Sequence, residues 1–298
     1  MKDIMTIIIR LTISCLMAGA VMGATFIITS DAKKQNEYKK EQKVSYGLLG
    51  YDVSKGMPEG VKLHELFRYV VTEGDDISVG YLVPAGRGEH SGFTFISINL
   101  DGAFIGQYPV EIDHADVREE EDRDLAILAA LGEGKEVRYA DQTLIATANG
   151  ARTAYLLSGK FPGFKTFVHV MLALEPDFTI LGLEIMEHEE DPGLGAEIKE
   201  DYFKNQFIGK PFETVKHLEV DKIPLPNEYR LALEGKISKE EVATVQQNYK
   251  DTNIYALTGA TISSTSVTNG VKGIAKKFAY RIGILDAVIQ QENIDVPF

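Results

Sequence analysis

Residues 153–187 read TAYLLSGKFPGFKTFVHVMLALEPDFTILGLEIME. Three apolar runs, Thr153–Leu157, Phe167–Leu174 and Ile180–Met186, are parted by a stretch holding Gly159 and Gly163 and by a turn at Asp177. Each run is rich in β-branched or aromatic residues and bounded by turn formers, the signature of a strand. Turns this short join antiparallel neighbours, so the segment predicts a three-strand meander. Residues 79–113, VGYLVPAGRGEHSGFTFISINLDGAFIGQYPVEID, can be laid over it, with Tyr81 on Tyr155, Asp101 on Asp177 and Gly106 on Gly182. We read the pair as a degenerate duplication.

Working outward, strand-like runs also occur at Ile77–Val83, Thr94–Leu100 and Leu144–Ala148. Helical patterns fall at Asp122–Leu131, Ala196–Phe207, Lys239–Lys250 and Ser264–Leu285, with Ser238 and Glu241 forming a capping box ahead of the third. Strand clusters followed by helices predict an α+β fold, an antiparallel sheet packed against helices. The organisation expected is an anchor over 1–30, a helical stalk over 31–45, a membrane-proximal α+β domain over 46–145 and a distal domain over 146–298.

The anchor rests on Leu11–Thr29, LTISCLMAGAVMGATFIIT, 19 residues without a charge. As a helix they extend about 28 Å, enough to cross a bilayer core. Gly19 and Gly23 form a GxxxG step suited to packing against another membrane helix. An apolar run that continues past Ala18-Gly19-Ala20 favours an uncleaved anchor over a signal peptide. Lys2 and Arg10 precede the span and Lys33, Lys34, Lys39, Lys40 and Lys43 follow it. Counting positives would put the soluble part inside the cytoplasm, but large domains often translocate regardless of such counts, so the residues alone leave the sidedness open. The expectation is a single-pass protein of the cytoplasmic membrane with its soluble part outside the cytoplasm.

Composition narrows the chemistry. Of 298 residues, 31 are Lys or Arg and 44 are Asp or Glu, a formal net charge of −13. That balance repels phosphate backbones and argues against a nucleic-acid partner. Cys15 is the one cysteine and lies inside the apolar span. The soluble part therefore has no thiol for a disulfide, a Cys-based zinc site, an iron–sulfur cluster or a thioether-linked haem. Any redox cofactor there must be held by other chemistry.

Two segments carry chemistry. Thr258-Gly259-Ala260-Thr261 is followed by Ile262-Ser263-Ser264 and then by Val267, Val271, Ile274, Phe278 and Ile282 at helical spacing. A Gly-containing, hydroxyl-rich loop thus opens a helix, with Ser263 or Ser264 expected as the N-cap. Free N–H groups and the helix dipole favour a phosphate there, although an ordinary cap has the same residues. The second segment is His188-Glu189-Glu190-Asp191-Pro192-Gly193-Leu194-Gly195. Its glycines permit a close, unusual backbone path against a flat ligand. A metal site is the rival reading of His188 and its three acidic neighbours, with a metallohydrolase as its consequence. The other histidines, His64, His90, His114, His169 and His217, show no metal-ligand spacing.

Together, the single N-terminal span, EEDPGLGAEI (189–198) and TGATISS (258–264) resemble the FMN-binding domain family. Its members include RnfG, from Rnf electron-transport complexes, and NqrC, from the sodium-pumping NADH:quinone reductase. The resemblance covers the anchor and residues 150–285. It implies FMN joined to Thr261 by a phosphoester, installed from FAD by a magnesium-dependent flavin transferase, with Thr258, Gly259 and Ala260 completing the recognition loop. It implies that Glu190, Pro192, Gly193, Leu194 and Gly195 lie against the flavin, with Ser263 and Ser264 beside the phosphate. It implies no metal ligand and no residue that is catalytic on its own. The function implied is a membrane-anchored electron carrier, one component of an Rnf-type ion-translocating ferredoxin:NAD+ oxidoreductase. An NqrC-like quinone-reductase component, a stand-alone extracytoplasmic flavin carrier and a cofactor-free assembly protein are the alternatives. The last is motivated by Tyr255, which stands where the family has Asp three residues before the motif; Asp251 is nearby but out of register.

Overall fold

A computed structural model describes residues 2–52, 58–86 and 92–298 of the chain. His90 lies outside the described residues. The chain divides into a helical unit up to Gly47 and a compact unit from Leu48 to Phe298.

The first unit is one helix, α1 (Lys2–Leu48), so the segments expected as anchor and stalk run on without a break. It contains a stretch apolar and long enough to cross a membrane. Leu11, Leu16, Val21, Phe26 and Ile28 are exposed along it. The hydroxyls of Thr12, Thr25 and Thr29 donate to the carbonyls of Ile8, Val21 and Thr25 at 2.8–2.9 Å. Back-bonding of this kind leaves no hydroxyl proton without an acceptor in an apolar surrounding.

The second unit is built on β1 (Val61–Glu73), β2 (Asp76–Pro84), β3 (Phe93–Asn99), β4 (Phe104–Val110), α2 (Glu120–Leu131), β5 (Glu136–Ala148), β6 (Ala151–Pro162), β7 (Phe167–Leu174) and β8 (Ile180–Glu187). Beyond them come α3 (Asp201–Lys204), α4 (Phe212–Val215), β9 (Val220–Asp221), α5 (Asn227–Leu233), α6 (Lys239–Tyr249), β10 (Ile254–Tyr255) and α7 (Thr261–Gln291). The first eight strands form one antiparallel sheet in the order β4-β3-β2-β1-β5-β6-β7-β8. Two four-strand meanders therefore meet at a β1–β5 seam. β2 corresponds to β6, β3 to β7 and β4 to β8, the correspondence that the overlay of 79–113 on 153–187 requires. The 145/146 boundary expected between domains falls inside β5.

Alternation along the strands sends one face of the sheet to α7 and the other to α2. Leu66, Tyr81, Ile96, Ile145, Tyr155 and Val170 share a core with Val271, Phe278, Ile282 and Leu285 of α7. Phe67, Tyr69, Leu82 and Phe95 pack instead with Ile127 and Leu131 of α2. Close approach of α7 to the sheet depends on Gly270, where a Cβ would lie 2.3 Å from the Phe161 ring.

Ion pairs cross the seam. Arg68 on β1 grips Asp141 on β5 through both carboxylate oxygens, at 2.5 and 3.0 Å, and Arg281 on α7 reaches the same carboxylate at 2.9 Å. Burial alone would raise the Asp141 carboxyl, but Arg68 and Arg281 hold it below its ordinary value. A carboxylate with a lowered folded-state pKa stabilises above the ordinary carboxylate range, and that stability is lost as pH falls through the folded value. Asp141→Asn should cost about 3 kcal/mol near neutral pH by leaving two guanidinium groups unpaired. The gap from wild type in urea unfolding should narrow below about pH 4.

One expected helix, Ala196–Phe207, is interrupted. Residues Gly195–Lys199 and Asn205–Phe207 are 3-10 turns flanking α3, and Glu200 between them is extended with ψ 147°. Beyond the break, Phe203 and Phe207 are both buried in the core, where their rings meet edge to face at 5.9 Å.

Candidate functional site

The TGAT segment forms the junction between β10 and α7. Gly259 takes φ +77°, and a Cβ on it would touch the Leu194 side chain at 3.0 Å. Glycine is thus favoured here for conformation and for space. The structure corrects the expected N-cap: the helix begins at Thr261, and Ala260, with φ −130°, is the cap residue without a side-chain hydrogen bond. Both serines lie within the first turn because their hydroxyls are used elsewhere. Ser264 accepts from the Leu257 N–H at 3.0 Å and donates to the Ala260 carbonyl at 3.0 Å, closing the loop on the helix. Ser263 donates to Glu190. Thr261 is half-buried and Thr258 is exposed. The first N–H groups of any α-helix have no partner within it, and here no cap side chain takes them.

The PGLG segment follows β8. The Asp191 carbonyl accepts from the N–H groups of Leu194 at 3.1 Å and Ala196 at 3.0 Å, and Gly193 is left-handed with φ +71°. Pro192, Gly193 and Leu194 form an exposed tip while Gly195 is buried. Because Leu194 lies over Gly259, the two motifs, 65 residues apart in sequence, form one surface.

Glu190 joins them. Its side chain is 4% exposed. One carboxylate oxygen accepts from the N–H groups of Phe164 at 2.7 Å and Lys165 at 3.3 Å, and the other accepts from Ser263. Next to it, Asp191 pairs with Lys165 at 2.5 Å. His188 Nδ1 accepts from the Glu190 N–H at 3.2 Å, which places the proton of a neutral ring on Nε2. These acids thus face separate partners, and among the described residues no group of three His, Cys, Asp or Glu is placed to hold a metal ion.

Beside the joined loops lies a cleft of about 1140 Å³, bordered by Pro192, Gly193 and Ala196 on one side and by Tyr255 and Thr258 on another. Its lining also includes residues the sequence did not single out: Tyr202, Gln206 and, from α5, Arg230. The Arg230 guanidinium covers the Tyr202 ring at 4.5 Å and pairs with Glu234 at 3.1 Å. Tyr202 donates to Glu197, and burial followed by that carboxylate raises its phenol above the ordinary value. Gln206 fixes Tyr255 by accepting from its N–H at 2.7 Å and donating to its carbonyl at 3.3 Å. Tyr255 is buried edge-on to Tyr229 and Tyr249, which stack at 4.1 Å. Asp251 is turned away to accept from Thr214 at 3.0 Å.

Lys210 anchors this region from below. It is fully buried, and its ammonium donates to the carbonyls of Tyr249, Lys250 and Thr252 at 2.5–3.4 Å, closing the C-terminal end of α6. Burial pulls the ammonium down to about 8, against a smaller upward pull from Asp251.

Residues 163–276 match the family described as the FMN-binding domain, a span that takes in both loops. Among curated proteins, the chain is 31% identical over 141 residues to the G subunit of the proton-translocating ferredoxin:NAD(+) oxidoreductase complex of Clostridium ljungdahlii, covering 47% of this chain and 58% of that protein. It is 29% identical over 133 residues to the G subunit of the Na(+)-translocating ferredoxin:NAD(+) oxidoreductase complex of Acetobacterium woodii, covering 44% and 51%. The chain thus spans about half the length of these relatives. Among solved structures, NqrC of Shewanella oneidensis aligns with a TM-score of 0.45 at 14% identity, covering 80% of this chain and 91% of that one.

Proposed function

With residues 163–276 matching the FMN-binding domain family, we propose that this chain is a membrane-anchored flavoprotein electron carrier with FMN joined covalently to Thr261. We read it as one component of an Rnf-type ion-translocating ferredoxin:NAD+ oxidoreductase, working with the other membrane subunits of that complex. The observation that carries the reading is the place of Thr261. Its hydroxyl belongs to the first residue of a 31-residue helix whose cap side chain makes no hydrogen bond, three residues beyond Thr258, which borders a cleft of a volume that suits a flavin.

The residues present fit the group. Open N–H groups at the start of α7 and the positive end of its dipole favour a phosphate. Gly259 and Gly193 let the backbone approach without a Cβ in the way. Pro192, Tyr202 and Tyr255 line the cleft with flat and apolar surface, and the Arg230 guanidinium, paired with Glu234, borders it too. FMN, when bound, supplies reversible one- and two-electron transfer; the protein supplies attachment, orientation and water exclusion. In loading, the Thr261 oxygen forms the bond to the FMN-side phosphorus of FAD, AMP departs and the hydroxyl proton is released. A flavin transferase is the maturation partner this requires. The soluble unit is assigned to the extracytoplasmic side of the membrane, and its first meander serves as a flavin-free structural half.

The test is peptide mass measurement on protein purified from its own membrane with the transferase present. An FMN adduct on the peptide holding Thr261 is the expected result. Tyr255, in the place of the family's Asp, favours one other reading, a cofactor-free assembly protein. A colourless protein without the adduct would decide for that reading.

A further inference from the structure

Glu190 combines two properties that a solvated loop carboxylate lacks. It is buried, and both its carboxyl oxygens are taken up by partners within the protein. Burying a carboxylate costs several kcal/mol unless hydrogen bonds replace the lost water. Here two backbone N–H groups and the Ser263 hydroxyl replace it. The surrounding glycines are fitted to the carboxylate. A Cβ on Gly163 would fall 2.4 Å from one oxygen, and a Cβ on Gly195 would fall 2.7 Å from the other and 2.6 Å from the Ser263 hydroxyl. A side chain at either place would evict the carboxylate.

From its own place in the loop after β8, Glu190 thus joins two other parts of the chain, the β6–β7 turn and the first turn of α7. Ser263 is two residues beyond Thr261 on that same turn. A second tie, from Ser266 to the Pro162 carbonyl, runs from the same end of α7 to the same β6–β7 turn. With no side-chain cap on Ala260, these contacts and the Ser264 bonds hold the start of the helix. Although Glu190 borders the cleft, its oxygens are spent inside the protein and are not offered to a ligand.

We propose that Glu190 is a positioning residue: its carboxylate clasps the start of α7 to the two neighbouring loops and thereby presents the Thr261 hydroxyl for flavin loading. The inference rests on Thr261 being the attachment site. It assigns the length and hydrogen-bonding reach of the glutamate side chain, and not its charge, as what loading needs at this position.

Glutamine separates the two. Its carbonyl can accept from Phe164 and Lys165 and its amide can donate to the Ser263 oxygen, so Glu190→Gln keeps the clasp without the charge. Glu190→Ala removes the clasp, and Ser263→Ala removes one arm of it. Each full-length variant is incubated with the flavin transferase, FAD and magnesium, and adduct formation is followed by mass. In parallel, hydrogen exchange is measured on the amides of Ser264–Val267 without any flavin. Loading should slow about a hundredfold in Glu190→Ala, the cost of an ångström-scale misplacement. It should slow about tenfold in Ser263→Ala, where one charge-assisted bond is lost. Glu190→Gln should load near the wild-type rate, and exchange protection should fall in the two alanine variants alone.

Wild-type loading by a folded Glu190→Ala would overturn the proposal. So would Glu190→Gln loading as slowly as Glu190→Ala with protection intact, since charge, as in a base or cation ligand, would then be what matters. Should Glu190→Ala fail to fold, Ser263→Ala carries the same comparison. If the wild type itself accepts no flavin, the attachment reading fails, while unchanged protection in the alanine variants would separately sink the clasp.

Discussion

Thr261→Ala is expected to abolish covalent flavin completely while leaving the fold in place. The Thr261 side chain is half-buried and takes no part in the bonds by which Ser263, Ser264 and Thr268 secure the first turn of α7. Alanine is also a good residue for the first position of a helix. The change in stability should therefore stay within about 0.5 kcal/mol, the range of substitutions away from packed or bonded features. Loading, by contrast, has no oxygen left to form the phosphoester. Thr261→Ser keeps one and should load. Mass measurement of the two variants, produced with the transferase, distinguishes them. An adduct on Thr261→Ala would move the site to a neighbouring hydroxyl such as Thr258 or Thr265 and end the argument from the helix start.

The second large effect concerns the fold. Residues 146–298 contain both motifs and the matched span, yet on their own they should not fold. Cutting there leaves β6, β7 and β8 with a stub of β5, and removes the seam strand β1. It also uncovers the C-terminal half of α7 and the tail that follows it, which residues before 146 touch at several points. Ile284 packs over Gly102, Arg281 pairs with Asp141, the Gly86 N–H donates to the Asp295 carbonyl at 3.0 Å, and the ring of Phe298 meets that of His64 at 6.0 Å. Phe278, Ile282, Leu285 and Val288 share their core with Leu66, Tyr81 and Ile96. Exposing four such side chains at about 1.5–3 kcal/mol each forfeits roughly 6–12 kcal/mol. That matches the entire stability of an ordinary domain. The expectation is a cooperative unfolding transition for 48–298 and none for 146–298. A sharp transition in the shorter fragment would show that the second meander stands alone.

Much of this is legible in the chain, and the exceptions share a cause. The strands at 153–157, 167–174 and 180–186 stand out because their apolar residues are contiguous and their turns are marked by Gly and Asp. The overlay with 79–113 places the corresponding strands of the other meander. β1 is hard to see because Lys62, His64, Glu65 and Arg68 interrupt its apolar residues. Three of those four are answered by partners far along the chain: Thr147 for His64, Arg118 for Glu65 and Asp141 for Arg68. Charge that is neutralised at long range looks like a loop when read locally. The site divides in the same way. Glycine pairs and a hydroxyl-rich helix start mark the two loops, but the partners of Glu190, residues 26 and 73 positions away, are not marked locally. Tyr202, Gln206 and Arg230 give no local signal, because their role comes only from the wall they build.

The β1–β5 seam also bears on when the molecule becomes competent. Val61 pairs with Ala148 and Thr72 with Glu136, 87 and 64 positions apart, so the centre of the sheet closes through long loops. Pairings of that separation are slow to form. Helix α7 lies across strands on both sides of the seam and gains its full core only once the seam exists. The helix that begins at Thr261 therefore gains its full packing late, and the junction of loops at its start stands on a helix completed only in the finished molecule. A maturation enzyme that recognises that junction, rather than a linear peptide, would discriminate finished chains from nascent ones and spend FAD only on the former.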